Sequence, residues 1–337
     1  QDLIEDDEIT EIMINGTDHI FLEKAGRIFE SDRRFVSVAK LEDVIQQIVG
    51  KCNRVINESM PIVDARLPDG SRVNVVLPPV ALDGPTMTIR KFPKEKMTME
   101  RLIELGALDE ETAGFLKLLV KARYNIFVSG GTGAGKTTFL NALSDYIPKT
   151  ERIITIEDSA ELQLRDVENL VRMETRNSNV EGENAITIRD LIKASLRMRP
   201  DRVIVGEVRD SAAIDMLTAM NTGHDGSLST GHANSAYDMI TRLESMVLMG
   251  IELPMEAVRR QIASAVDIII HLGRLRDGSR KVTEICEVTG IENGQVQLTS
   301  LYEFEEQAEK GRKTVQGYLK KKAALQNKEK LKRAGLE

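Results

Sequence analysis

One run of residues in this chain is suited to holding a polyphosphate. Gly130-Gly131-Thr132-Gly133-Ala134-Gly135-Lys136-Thr137 fits the pattern G-x-x-x-x-G-K-[ST]. An apolar segment, Asn125 to Ser129, precedes it, and Phe139, Leu140 and Leu143 follow at helical spacing. Glycines let backbone N–H groups turn inward around phosphate oxygens, and a helix beginning near Gly135 aims its positive dipole end at the same charge. In that arrangement Gly130, Gly131, Thr132, Gly133, Ala134 and Gly135 form the cradle and Lys136 reaches the β- and γ-phosphates of ATP. The Thr137 hydroxyl ligates Mg²⁺, and Thr138 packs or adds a phosphate contact. A chance glycine-rich turn is the competing explanation.

Two further apolar segments end in acids. Ile153 to Ile156 runs into Glu157-Asp158, where two carboxylates can position Mg²⁺ or water. The structural alternative is a helix cap for Asp158 and a surface ion pair for Glu157. Val203-Ile204-Val205-Gly206-Glu207 has a glycine where many P-loop enzymes place the magnesium-binding aspartate, so Glu207 must polarise the attacking water or hold a metal-bound water. Its bland alternative is an ion pair with Arg209. Direct or water-mediated Mg²⁺ contacts are thus expected from Thr137, Glu157 and Glu207. His224 and His232 bracket the short segment 225–231, and His232 would stand at a strand end near the γ-phosphate, able to report nucleotide state.

These groups need a scaffold. Apolar segments at Asn125–Ser129, Arg152–Glu157, Arg202–Val205, Ser227–Thr230 and Asp267–Leu272 alternate with helical patterns, which predicts a parallel, doubly wound α/β sheet of the RecA-like P-loop kind. Ahead of it, Glu11–Asn15 and His19–Glu23 flank Asn15-Gly16, and a turn at Ala25-Gly26 leads to Ile28-Phe29. Leu41, Val44, Ile45, Ile48, Val49 and Cys52 form one helical apolar stripe, with Cys52 expected in the core. A hairpin over Arg66–Val76 and a strand over Thr86–Phe92 complete a smaller α+β domain. The expected organisation is 1–93 for that domain, a linker about 91–97, the ATPase domain over 94–305, and a basic tail over 306–337.

The 337 residues are 41% hydrophobic and 29% charged, proportions of globular protein that exclude a fibrous or wholly disordered chain. Apolar runs are far shorter than a membrane span needs, no leader-like segment opens the chain, and Gln1 stands where a methionine would begin a native N-terminus. Two isolated cysteines suit a reducing cytoplasm. The net charge is −7, yet Ala308–Glu337 holds ten Lys/Arg against three Asp/Glu. That tail is read as a solvated helix or frayed end, and the acidic body argues against nucleic acid as a partner.

The four motifs in this order resemble the secretion ATPase superfamily of type II and type IV systems: the P-loop, the acidic box Glu157-Asp158, the atypical Gly206-Glu207, and the histidine box. Within it, Glu11–Gly16, Asp64–Asn74 and Leu196–Asp201 are similar to the CpaF-type ATPase of tight-adherence (Flp) pili. The conjugation-type secretion ATPases share the Leu196–Asp201 run and are the alternative. Two cysteines cannot build the four-cysteine zinc module of pilus-extension and type II secretion ATPases. The resemblance implies a homo-hexamer on the cytoplasmic face of the inner membrane, working on an integral-membrane platform protein and associating with the membrane through partners. It implies Glu207 as catalytic acid, Glu157 as metal or water organiser and His232 as phosphate sensor. Arg72, Arg90 and Arg197 are the implied bridges to nucleotide from a neighbouring domain or subunit. Met246, Met249 and Met255 can form a partner-binding face, with core filling as the alternative.

Overall fold

Ser37 begins the clearest local unit of the N-terminal part, because its side chain accepts the Lys40 backbone N–H and starts a helix whose Leu41, Ile45 and Val49 face inward. A computed structural model of the chain describes residues 2–24, 26–52, 54–92, 96–164, 166–176, 184–307 and 314–337. Ala25 of the expected second turn, 93–95 of the expected linker and 308–313 of the expected tail lie outside the described residues. Two compact units form, Gln1–Lys96 and Met97–Glu337.

The first unit contains α1 (Asp2–Glu5), β1 (Ile9–Asn15), β2 (His19–Lys24), β3 (Arg27–Glu30), α2 (Val38–Lys51), β4 (Ile62–Arg66), β5 (Arg72–Val76) and β6 (Thr86–Arg90). Among the described residues these strands make an antiparallel sheet in the order β3-β2-β1-β6-β5-β4. Alternate residues such as Ile12, Ile14, Val73, Val75, Met87 and Ile89 bury one face under α2. Cys52 is not a core residue: it caps α2 half-buried, its Sγ 3.4 Å from the Ile48 carbonyl. The helical period ends one residue before it.

The second unit opens with α3 (Met99–Glu104), α4 (Glu110–Lys121), β7 (Ile126–Gly130), α5 (Lys136–Ser144), β8 (Ile153–Glu157), β9 (Leu170–Glu174) and α6 (Ile188–Ser195). It continues with β10 (Arg202–Val205), α7 (Ala212–Asn221), β11 (Leu228–His232), α8 (Ala236–Gly250), α9 (Met255–Ala265) and β12 (Ile268–Arg274). It closes with β13 (Arg280–Glu292), β14 (Gln295–Glu306), β15 (Gly317–Lys321) and α10 (Glu329–Ala334). One nine-stranded sheet has the order β15-β14-β13-β12-β7-β11-β10-β8-β9 among the described residues. From β12 to β9 all pairs are parallel, and from β12 to β15 all are antiparallel.

Every residue of β7, β8 and β10 is buried, as a strand covered on both faces requires. Ile126 and Val128 pack with Leu116, Leu119, Phe139 and Leu140 on one face, and Phe127 packs with Leu217, Leu243 and Ile262 on the other. Helices thus cover both sides of the sheet. The five strands expected from sequence all form, while β9 and the β13–β14 hairpin are additional.

The segment expected as a solvated tail joins this unit. β15 pairs with β14, and the buried Glu287 carboxylate on β13 accepts the backbone N–H groups of Gln326 and Asn327 at 2.8 and 2.7 Å. Lys330 on α10 pairs with Asp225 and Asp267, and Leu331 enters the core. Lys330 thus finds two acids of the sheet's N-terminal edge, which a count of charge by segment does not reveal. Replacing Glu287 with Ala removes two hydrogen bonds from a buried carboxylate to the Gln326 and Asn327 amides, costing about 2 kcal/mol. Urea unfolding and amide exchange over 326–334 check this, and unchanged exchange there would show that the segment is held by other contacts.

Candidate functional site

Parallel strands deliver their C-terminal ends to one edge of the sheet, and the four sequence motifs sit on four adjacent strand tips. Gly130, at the end of β7, lies between His232 of β11 and Leu272 of β12 in the strand register. Beyond β10 comes β8, which ends on Glu157. The P-loop, the acidic box, Glu207 and His232 therefore converge without any long-range loop.

Gly135 is the N-cap of α5 with φ +92°, a left-handed conformation that L side chains rarely adopt. This turn lets the helix start at Lys136 directly behind the exposed Gly131–Gly133 crown. Lys136 is only 8% exposed, with Nζ 3.1 and 3.0 Å from the carbonyls of Gly130 and Gly131 and 3.3 Å from His232 Nδ1. Burial pulls its pKa below the ordinary lysine value, while the nearby Glu207 carboxylate opposes that shift. Thr137 and Thr138 are half-buried on the first turn of the same helix.

Glu207 lies just past β10, its side chain 15% exposed. Its Oε2 accepts Arg209 Nε–H at 2.7 Å, so the sequence alternative of an ion pair with Arg209 is also realised. Its Oε1 is 2.8 Å from His232 Nε2, close enough for an ion pair but off the axis of a hydrogen bond. Lys136 can only donate to His232 Nδ1, which assigns the ring proton to Nε2, facing Glu207. Burial lowers the His232 pKa, with Lys136 and Arg209 adding to it and the Glu207 carboxylate opposing it, so this neutral tautomer fits.

Glu157 is 3% exposed. Its Oε1 accepts the backbone N–H groups of Glu161 and Leu162 at 2.8 and 3.0 Å, and its Oε2 is buried with no hydrogen-bond partner among the described residues. Desolvation raises its pKa to about 7 against these two stabilising bonds. A Cβ at Gly206 would sit 2.9 Å from Glu157 Cγ. The glycine that replaces the usual aspartate is thus the space the Glu157 side chain needs. Asp158 is exposed, 3.7 Å from Arg209 at its nearest, and caps no helix.

Not every expected residue joins the pocket. His224 lies before β11, at the opposite end of the strand from His232, with Nδ1 3.3 Å from the Ala219 carbonyl. Arg197 follows α6 and precedes β10, so it is exposed near the N-terminal sheet edge, away from the P-loop of its own chain. Arg72 and Arg90 belong to the first unit, where they are register partners on β5 and β6. Met246 is core, while Met249 and Met255 are exposed.

Sequence reasoning missed two side chains here. His271 on β12 is buried with Nδ1 2.8 Å from Ser129 Oγ, directly beneath the P-loop. Arg280 donates its Nε–H to the Gly133 carbonyl at 2.7 Å. The turn signal Asp277-Gly278 marked the hairpin that brings Arg280 back to the loop. An open cleft of about 440 Å³ adjoins the crown, lined by Gly131, Thr132, His232, Asn234, Asp238 and Arg242.

The donor set suits a magnesium nucleotide. Among the described residues no cluster of acids, histidines or cysteines could hold a metal by itself. Mg²⁺ bound through Thr137, one or two carboxylates, water and substrate phosphates needs no such cluster. Glu157 Oε2, buried and unmet, is an acceptor available for that shell or for a water.

A glycine-rich cradle on the central strand of a doubly wound parallel sheet defines a P-loop nucleotide-binding ATPase domain. The chain belongs to the Type II/IV secretion system protein family, whose profile matches residues 1–333. Conjugal transfer protein TrbB of Rhizobium radiobacter is 32% identical over 307 residues, covering 90% of this chain and 91% of that protein. The type IV secretion system protein VirB11 of Brucella suis biovar 1 is 33% identical over 316 residues, covering 84% and 86%. The Legionella pneumophila ATPase DotB, known from an X-ray structure, shares the fold with a TM-score of 0.59 at 21% identity, covering 85% of this chain and 78% of DotB. These relatives carry conjugal-transfer and secretion names, so the family agrees with the motif resemblance while its tight-adherence subgroup is not the one they name. Among the described residues no helix is long and apolar enough to cross a membrane.

A proton held by Glu157 only in the fold gives stability that is full below the ordinary glutamate value of 4.5 and is lost as pH rises through about 7. Glu157→Gln removes that dependence. The stability of wild type relative to the variant should therefore fall by about 1.4 kcal/mol per pH unit across that window. Urea midpoints of both proteins at pH 5 and pH 8 test this, and parallel profiles would show that Glu157 is ionised throughout.

Proposed function

We propose that this chain is an ATP-hydrolysing motor of a conjugation-type type IV secretion system. The enzymatic part rests on one observation: Lys136, His232 and Glu207 form one run of contacts at the P-loop, with Glu157 on the next strand tip beside Gly206. The choice of system rests on the names of the similar relatives.

In this reading the backbone amides of 131–135 and the α5 N-terminus bind the phosphates, and Lys136 exchanges the Gly130 and Gly131 carbonyls for phosphate oxygens. ATP with Mg²⁺ supplies the phosphoryl group and the charge that neutralises it. Thr137 would hold the ion. Glu207 orients the attacking water, while its pairing with Arg209 and His232 keeps the carboxylate aimed along the strand tip. Glu157, with its proton affinity moved close to neutrality, organises a second water or the ion and can take up a proton at Oε2. Neutral His232, touching both Lys136 and Glu207, couples occupancy of the cradle to the water-binding acid.

The working form is proposed to be a homo-hexamer on the cytoplasmic face of the inner membrane, acting on a membrane platform protein. Arg72, Arg90 and Arg197 are proposed to reach nucleotide within that assembly, where a planar guanidinium pairs with phosphate oxygens. For Arg197 this must be the nucleotide of a neighbouring copy. Assembly of a tight-adherence pilus stands second, on the residues Glu11–Gly16 and Asp64–Asn74. Loss of conjugative DNA transfer on deletion of the gene favours the first system, and loss of a surface filament the second.

Lys136→Ala should abolish ATP binding measured by calorimetry. Glu207→Gln should keep ATP binding within a few-fold while phosphate release falls at least about 100-fold. Full turnover by the glutamine variant would remove Glu207 from its assigned role. Hydrolysis stimulated by DNA with a steep salt dependence would instead indicate a nucleic-acid translocase.

A further inference from the structure

We infer that Arg280, outside all four sequence motifs, is a phosphate-contacting residue of the nucleotide site. The inference rests on the nucleotide-binding reading above and names one more of its ligands.

Arg280 begins β13, immediately after the turn that follows β12. β12 lies beside β7 with Leu272 opposite Gly130, and β13 lies beside β12 with Arg280 opposite Arg274. This register carries Arg280 past the end of β7 to the level of the P-loop crown. There its Nε–H donates to the Gly133 carbonyl at 2.7 Å, and its Cδ lies 3.4 Å from where a Cβ on Gly135 would stand. Among the described residues no carboxylate pairs with it, although Arg276 of the same turn pairs with Glu306 and the following Lys281 donates to the Gly106 carbonyl. The terminal amino groups of an arginine held by its Nε thus remain available beside the P-loop crown. Such a group pairs best with a phosphate oxygen.

The turn that presents Arg280 is built rather than loose. Asp277 Oδ1 accepts both the backbone N–H and the hydroxyl of Ser279, at 2.9 and 2.6 Å, and Asp277 Oδ2 accepts the Val315 N–H at 2.7 Å. These bonds hold the Asp277 carboxyl down at about 2, so it stays ionised at any working pH. Leu275 and Ser279 close the turn with a backbone bond of 2.8 Å. A side chain pre-positioned this way loses little freedom when a ligand arrives.

Calorimetry on the full chain at fixed low salt, with ATP and with inorganic tripolyphosphate as probes, decides the matter. Arg280→Ala should weaken both about 10- to 100-fold. Arg280→Gln, which can still donate to the Gly133 carbonyl but carries no charge, should lose as much, and Arg280→Lys should keep most of the affinity. Wild-type affinity in Arg280→Gln would mean that the side chain only braces the loop and would overturn the inference. Weakened ATP with unchanged tripolyphosphate would place the contact on the nucleoside and overturn it equally. Lys136→Ala serves as the reference. If it binds ATP like wild type, the nucleotide reading itself fails, whereas loss in Lys136→Ala with none in Arg280→Ala sinks only the role of Arg280.

Discussion

A buried ammonium governs the architecture of this site. Lys136 sits almost out of solvent, and a lysine so placed must be met by acceptors or give up its charge. The acceptors it finds are the carbonyls of Gly130 and Gly131, the imidazole of His232 and, at longer range, the Glu207 carboxylate. Each comes from the end of a different strand or from the loop between strand and helix. The order β7-β11-β10 is thus the order that gathers these acceptors around one positive charge. The same acceptors are weaker partners for an ammonium than phosphate oxygens, so the site is poised to exchange them.

The acidic side of the pocket follows a complementary logic. Glu157 is held by two backbone amides through one oxygen and left unmet at the other. An unmet buried carboxylate oxygen is costly, and structures retain such atoms mainly where a ligand or water completes them. Gly206 and Glu157 are one feature, since neither an aspartate nor an alanine fits where the glutamate's methylene lies. A departure from the usual P-loop pattern therefore makes room for a glutamate on the neighbouring strand.

Much of this was legible in the residues. The P-loop announces itself because only glycine meets its backbone demands, and continuous apolar runs such as Ile126–Val128 and Val203–Val205 announce buried parallel strands. What escaped notice was governed by long-range pairing. β9 reads weakly because its residues are half-exposed at a sheet edge. The β13–β14 hairpin turns at Asn293-Gly294, both with positive φ, a signal present in the sequence but outweighed by the polar character of its strands. Arg280 was unremarkable as one arginine among many. Its meaning depends on a register that places it 2.7 Å from a residue 147 positions earlier. Arg197 shows the converse: a motif resemblance names a residue, while chain direction decides which end of the sheet it occupies.

One edge strand of the large sheet among the described residues, β15, has a further consequence for how copies of this protein coexist at high concentration. Lys320 and Lys321 lie on it and Lys322 follows it, with Lys320 and Lys322 bound to Glu305 on the neighbouring strand. A rim crowded with ammonium groups repels a second such rim and so blunts the open ladder of N–H and C=O groups that would otherwise template aggregation. The cationic character of the C-terminal stretch is in this sense a colloidal safeguard at one of the two edges of the sheet formed by the described residues, disfavouring recruitment of a further strand there from another molecule.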